Sequence, residues 1–228
     1  MRKLKFSRSL VISVLALSLT AAVALASSLN SGSTRSSNPV PDPVFDPQAT
    51  AGTQKAVFAG GCFWGMEGVF EHLKGVSEVK TGYAGGDAAT ATYEQVSAGS
   101  TDHAEAVEVT YDPTKISYGE LLKIYFFVAH DPTELNRQGP DVGEQYRSEI
   151  FFTDEQQKQV AEAYMHQLAE AKSFDEPIVT QMTPLDRFYD AEAYHQDFIK
   201  RNPLKPYVVI HDMPQIRQLE AQFPEMYQ

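Results

Sequence analysis

Ala56-Val57-Phe58-Ala59-Gly60-Gly61-Cys62-Phe63-Trp64-Gly65-Met66-Glu67 is the stretch on which the reading of the fold turns. Ala56 to Ala59 is a short apolar run of the kind that makes a buried strand. After Cys62 the pattern changes, and Phe63, Met66, Phe70 and Leu73 fall at helical spacing. Gly60 and Gly61 let the backbone turn tightly between the two elements and leave the sulfur approachable. A thiol at a helix N-terminus faces unpaired N–H groups and the positive end of the helix dipole, which lower its pKa. Cys62 is the one cysteine of the chain. A lone cysteine more often serves as a small buried hydrophobe. Here the aromatics that follow it, the flanking glycines and the helix start together predict a nucleophile.

Outward from this stretch, strands and helices alternate. Glu78 to Gly82 predicts a strand entering a glycine-rich loop, and Ala104 to Tyr111 a strand with Val107, Val109 and Tyr111 on one face. Ser117 and Glu120 form a capping box ahead of Leu121, Leu122 and Tyr125. Tyr146 to Phe152 reads as a strand, and Thr153 with Gln156 as the cap of a long helix reaching about Lys172. Pro177 to Met182 reads as a short strand, and Ala191 to Lys200 as a shorter helix stopped by Pro203. Many strands are half-buried rather than continuously apolar. That favours an α+β fold, a two-layer sandwich with helices on one side of a mixed sheet.

The ends and the charge bound the function. Arg2, Lys3, Lys5 and Arg8 precede an apolar run from Leu10 to Leu25, and Ala24-Leu25-Ala26 fits a small-x-small cleavage site. Residues 1–26 are therefore expected to be a signal peptide and the protein to be exported, periplasmic or secreted, with an uncleaved anchor the alternative. Residues 27–53, rich in Ser and Pro, are expected to be a disordered or partly extended linker, leaving 54–228 as one catalytic domain. The net charge of −11 becomes −15 once the four cations of residues 1–26 are removed. Such a charge argues against nucleic acid and anionic lipid as partners. One cysteine excludes an intramolecular disulfide. No paired-histidine motif or C-x-x-C predicts a metal site, and Gly82 to Gly86 lacks the Gly-Lys-Ser/Thr of a phosphate loop.

Gly61-Cys62-Phe63-Trp64-Gly65-Met66-Glu67 resembles the signature of the A-type peptide methionine sulfoxide reductases. The resemblance continues in order through Thr81-Gly82-Tyr83-Ala84-Gly85-Gly86, His103-Ala104-Glu105-Ala106-Val107, Tyr111-Asp112-Pro113 and His130-Asp131-Pro132-Thr133. It then runs through the stretch Asn136 to Ser148, His195-Gln196 and Asn202-Pro203, covering roughly residues 54 to 210. It implies a ferredoxin-like core with functional loops around 82–103 and 130–145. It also implies reduction of the S epimer of methionine sulfoxide, free or in proteins.

In that chemistry the Cys62 thiolate attacks the sulfoxide sulfur and is left as a sulfenic acid. The resemblance implies Glu105 as the acid that protonates the oxygen, a role suited to a carboxyl whose pKa burial raises. Taken alone, Glu105 reads first as a solvated strand residue. Tyr93, Asp141 and Tyr146 match positions that hydrogen-bond around the site, although tyrosines are more often structural. Phe63 and Trp64 would form the slot for the methyl group, and for Phe63 plain core packing remains the alternative. Position 97 is serine, and Leu204-Lys205-Pro206-Tyr207-Val208-Val209 carries no cysteine, so the chain resembles the single-cysteine subgroup. No bound cofactor is implied. An external thiol, from thioredoxin, glutaredoxin or a small molecule, must reduce the sulfenic acid. Two other readings stand beside this one. Cys62 with His103 or His195 and an aspartate could form a hydrolase triad, or Phe63 and Trp64 could belong to a module that only binds oxidised or thioether side chains.

Overall fold

A computed structural model describes residues 40–47 and 52–228. The expected signal peptide, residues 1–26, lies outside the described residues, as does most of the expected linker.

The strand opened by the diagnostic stretch is β1, Gln54–Ala59, and it sits in the middle of a sheet. On one side it pairs antiparallel with β3, Ala104–Tyr111, and β3 pairs antiparallel with β2, Val76–Ala84. On the other side β1 pairs antiparallel with β6, Glu149–Phe152. β7, Gln181–Pro184, adds to β6 in parallel, and β8, Phe188–Asp190, closes the far edge against β2. Among the described residues the order is β7-β6-β1-β3-β2-β8, a mixed sheet. A two-strand ribbon, β4 (Arg137–Gln138) and β5 (Asp141–Val142), stands apart from it.

Alternation along the strands decides which face the helices cover. Phe58 from β1 with Val107, Val109 and Tyr111 from β3 join the large core. Val57, Ala59, Ala84, Ala104 and Ala106 point to the other face, where Phe151, Leu185 and Phe188 make a smaller cluster. The helices pack on the first face. α1 is Phe63–Glu71, α2 Tyr93–Ser97, α3 Tyr118–Ile124 and α4 Glu155–Glu170. α5, Phe198–Arg201, a π-helical turn Val208–Asp212 and α6, Met213–Gln222, complete the layer. This is the expected α+β arrangement.

α1 is buried along almost its whole length. Met66, Val69 and Phe70 enter the core beneath it. On its outer side Gly65 and Gly68 let the C-terminal segment come close. A Cβ on Gly68 would lie 2.6 Å from Ile199 Cδ1, and one on Gly65 2.9 Å from Asp212 Oδ1.

The capping box forms as expected, with Ser117 Oγ accepting from Glu120 N–H and Glu120 Oε2 accepting from Ser117 N–H. Elsewhere the boundaries move. The cap of α4 is Asp154, whose Oδ1 accepts from Gln157 N–H at 2.8 Å, one residue later than expected because a carboxylate is available there. Only Glu149 onward is strand in the expected Tyr146–Phe152, because Glu144–Tyr146 turns as 3-10 helix. The expected helix over Ala191–Lys200 shrinks to Phe198–Arg201, since Asp197 takes a left-handed conformation at φ 50°.

The linker expectation is corrected in its described part. Residues 40–47 are held against α3 and α4. Tyr164 Oη donates to Pro41 O at 2.7 Å, Gln167 bonds Asp42 O and Val44 N–H, and Asp46 Oδ1 accepts from Gly119 N–H. Proline spacing had suggested loss of structure, but an extended segment can be ordered by partners that satisfy its backbone.

Candidate active site

The turn from β1 into α1 needs glycine at both positions. Gly61 has φ 97°, and a Cβ there would lie 2.6 Å from Gln138 Cγ. A Cβ on Gly60 would lie 2.7 Å from the His130 ring. His130 is buried beneath this turn, with Nδ1 2.8 Å from Tyr125 O and Nε2 2.7 Å from Ser148 Oγ. Tyr125 Oη in turn donates to Ala59 O at 2.7 Å. Two motifs quoted above, around His130 and Ser148, thus support the backbone that presents the thiol.

Cys62 is the N-cap of α1, with extended backbone, and is partly exposed. The expectation of a lowered thiol pKa is overturned. Burial pushes the thiol well up, and the carboxyls of Glu105, Asp212 and Asp141 add to the rise. The Trp64 N–H acts in the lowering direction and is outweighed.

Glu105 lies on the same face of β3 as Val107 and Val109, which carries it under the helices and to the start of α1. It is 2% exposed, and its Oε2 accepts the Phe63 N–H at 3.1 Å. Burial pushes its carboxyl up to about 8; the Phe63 N–H lowers it and Asp141 raises it. Near neutral pH this residue is a carboxylic acid carrying a proton.

Tyr93 opens α2, and Tyr146 ends the 3-10 turn before β6. Burial raises both phenol pKa values, with Glu105 the next contributor and both Cys62 and Asp141 contributing to each. Both therefore remain O–H donors beside the thiol and the acid. Asp141, on β5, accepts a short hydrogen bond from Tyr207 Oη. Cys62, Glu105, Tyr93, Asp141 and Tyr146, 84 positions apart at the extremes, belong to one electrostatic cluster.

The two aromatics after the thiol divide their duties. Phe63 is 0% exposed and packs against Tyr83 and His195, the core-packing alternative. Its backbone N–H is what meets Glu105. Trp64 is partly exposed. Its indole N–H donates to His195 Nδ1 at 3.0 Å, and its ring stacks on Phe198 at 3.7 Å and 4°.

Several residues around the site carry no assigned role in the sequence reading. Glu192 clamps Tyr83 Oη and Tyr93 N–H, both at 2.9 Å, which ties α2 to β2. Tyr207 and Asp212 line a pocket with Cys62, Asp141 and Gln215. A tyrosine and an acid in a polar C-terminal stretch carry no periodicity that marks them. The histidines of the hydrolase reading are committed elsewhere: His195 accepts the indole N–H, and His103 Nε2 lies 3.0 Å from Asp87 O. Among the described residues no group of His, Cys, Asp and Glu is placed to hold a metal ion.

A thiol at a helix start beside a protonated, buried carboxyl points to a class of thiol-dependent enzyme, and comparison with known proteins gives its family. The family model described as peptide methionine sulfoxide reductase matches residues 54–227. The chain belongs to the peptide methionine sulfoxide reductase family, A type. It is 57% identical over 190 residues to peptide methionine sulfoxide reductase MsrA 2 of Synechocystis sp., covering 82% of this chain and 89% of that one. It is 53% identical over 182 residues to the MsrA 2 of Mesorhizobium japonicum, covering 80% and 93%. Among solved structures, methionine sulfoxide reductase A of Corynebacterium diphtheriae matches with a TM-score of 0.59 and 35% identity, over 75% of this chain and 87% of that one. Reduced Mxr1 from Saccharomyces cerevisiae matches with a TM-score of 0.60 and 33% identity, over 71% and 92%. The protein is an oxidoreductase that acts on methionine sulfoxide.

Proposed function

We propose that the enzyme reduces the S epimer of methionine sulfoxide, free or within proteins, through a sulfenic acid on Cys62. The observation that carries this reading is the buried Glu105 carboxyl, protonated near neutral pH and hydrogen-bonded to the N–H of the residue after the thiol. The sulfoxide oxygen would lie among Glu105, Tyr93 and Tyr146, three O–H donors for the charge that develops on it. Its methyl group would rest against Trp64, with Phe63 packed behind. Glu105 gives its proton to the oxygen while Cys62 Sγ attacks sulfur. The Sγ–sulfur bond formed in the attack and the substrate S–O bond then both break as the hydroxyl passes to Sγ, so methionine leaves and Cys62 keeps the oxygen as S–OH. The thiol proton returns to Glu105, so each turnover converts one sulfoxide and one thiol into one thioether and one sulfenic acid.

The raised thiol pKa fits this order of events. A carboxylate beside Cys62 opposes a thiolate, whereas a protonated Glu105 does not.

With one cysteine in the chain, the sulfenic acid is reduced by an external thiol, supplied by thioredoxin, glutaredoxin or a small molecule. The basic and apolar residues of 1–26 support export, which would place the repair of oxidised proteins in the periplasm or outside the cell. Cys62→Ser tests the chemistry. The expected outcome is no methionine above the background without enzyme; retained turnover contradicts the mechanism.

A further inference from the structure

The pocket that opens on Cys62 is not built from Glu105, Tyr93 and Tyr146. Its walls come from Gln138, Asp141, Tyr207, Asp212 and Gln215, most of them from the ribbon and the C-terminal segment. Asp212 ends the π-helical turn and starts α6, and it is 3% exposed. Its Oδ1 abuts Gly65, in the first turn after the thiol, where a side chain would collide at 2.9 Å. Its Oδ2 is buried with no hydrogen-bond partner among the described residues. An unpartnered buried carboxyl oxygen is costly unless the carboxyl is neutral or put to use. Nothing in the reduction of the sulfoxide requires it.

We propose that this pocket receives the external thiol that reduces oxidised Cys62, and that Asp212 is the acid that protonates the departing sulfenic oxygen. This rests on the sulfenic acid pathway proposed above. The donor thiolate attacks Cys62 Sγ, an S–S bond forms, the S–O bond breaks, and the hydroxyl leaves as water with the Asp212 proton. A second donor thiol attacks the first donor sulfur. The electron pair of the mixed disulfide returns to Cys62, and the two protons released by the first and the second donor thiol restore Cys62 and Asp212 to their starting state. One dithiol is oxidised to its disulfide and one sulfenic acid is reduced to thiol and water. Burial, with Asp141 nearby, pushes the Asp212 carboxyl up to about 7, so protons are available to it at neutral pH. Each half of the cycle thus has its own acid, Glu105 for the sulfoxide and Asp212 for the sulfenic acid.

The test separates the halves on the full chain. Enzyme without reductant is given S-methionine sulfoxide, methionine is counted, and dithiothreitol is then added while the return of the Cys62 thiol is timed. In Asp212→Asn, thiol return is expected to slow by about a hundredfold more than methionine formation does, the share of a general acid. Asp212→Ala, which empties the position, is expected to recover much of that rate when formate is added. Unchanged thiol return, or both halves slowed in parallel with no formate rescue, overturns the assignment. Absence of methionine from wild-type enzyme instead contradicts the sulfenic acid pathway itself.

Discussion

At the scale of single residues, the site works by withholding charge. Glu105 is buried where a carboxylate is poorly solvated, so it holds its proton to about 8, and Cys62 stays a thiol beside it. Glu105→Gln keeps the shape and the Phe63 contact but has no proton to give. Methionine formation in a single turnover is expected to fall about 10²- to 10⁴-fold. The wild-type rate is expected to decline above about pH 8 as Glu105 ionises, and that decline is expected to vanish in the variant. A rate profile unchanged by the substitution contradicts the acid role. Cys62 and Glu105 were legible in the sequence through the motifs around them. The direction of the thiol pKa was not, because it depends on Glu105, Asp141 and Asp212, which only the fold brings to it. Glu192, Tyr207 and Asp212 were illegible for the same reason.

At the scale of elements, local signals were readable where a segment answers to its own sequence. The β1–α1 turn, the alternating strand β3 and the Ser117 capping box formed as read. Elements held by distant partners were missed or misplaced. β8 exists as an edge strand on β2, and α5 is nucleated where Glu67 accepts the N–H groups of Asp197 and Phe198 at 2.9 and 3.2 Å. Gly65 is an element-scale constraint, since α1 can meet α6 only with no side chain there. Gly65→Ala would gain helix propensity worth under about 1 kcal/mol. The side chain would meet Gln215 Oε1 at 2.6 Å and Asp212 Oδ1 at 2.9 Å, so Asp212 must move. The expected result is a loss of roughly 1–3 kcal/mol in urea unfolding, the cost of overpacking. A variant more stable than wild type contradicts the packing account.

At the scale of the whole molecule, two features set stability. Residues 40–47 strap α3 to α4 through hydrogen bonds, with an exposed Asp42–Lys123 ion pair of small worth. A chain starting at Gly52 is expected to unfold several degrees below one starting at Val40, with unchanged methionine formation, as calorimetry and assay would read. The second feature is a set of buried acids. Glu67 and Asp212 are pushed up to about 7 and Glu105 to about 8, in each case chiefly by burial. Between their ordinary range and these values the folded state binds more protons than the unfolded chain. Stability therefore falls as pH rises from about 5 to about 8.5, by an amount on the order of a few kcal/mol. Glu67→Gln is expected to flatten part of that slope, and a slope of the opposite sign contradicts the assignment of these carboxyls.

The central claim is that one thiol and one protonated carboxyl carry out a single, stereospecific oxygen transfer. The most direct measurement is one turnover without reductant on S- and R-methionine sulfoxide separately, counting methionine formed and free thiol lost per enzyme. The account predicts about one methionine and one lost thiol per Cys62 with the S epimer and none with the R epimer. Equal reaction of both epimers, or methionine formed with the thiol intact, would contradict it.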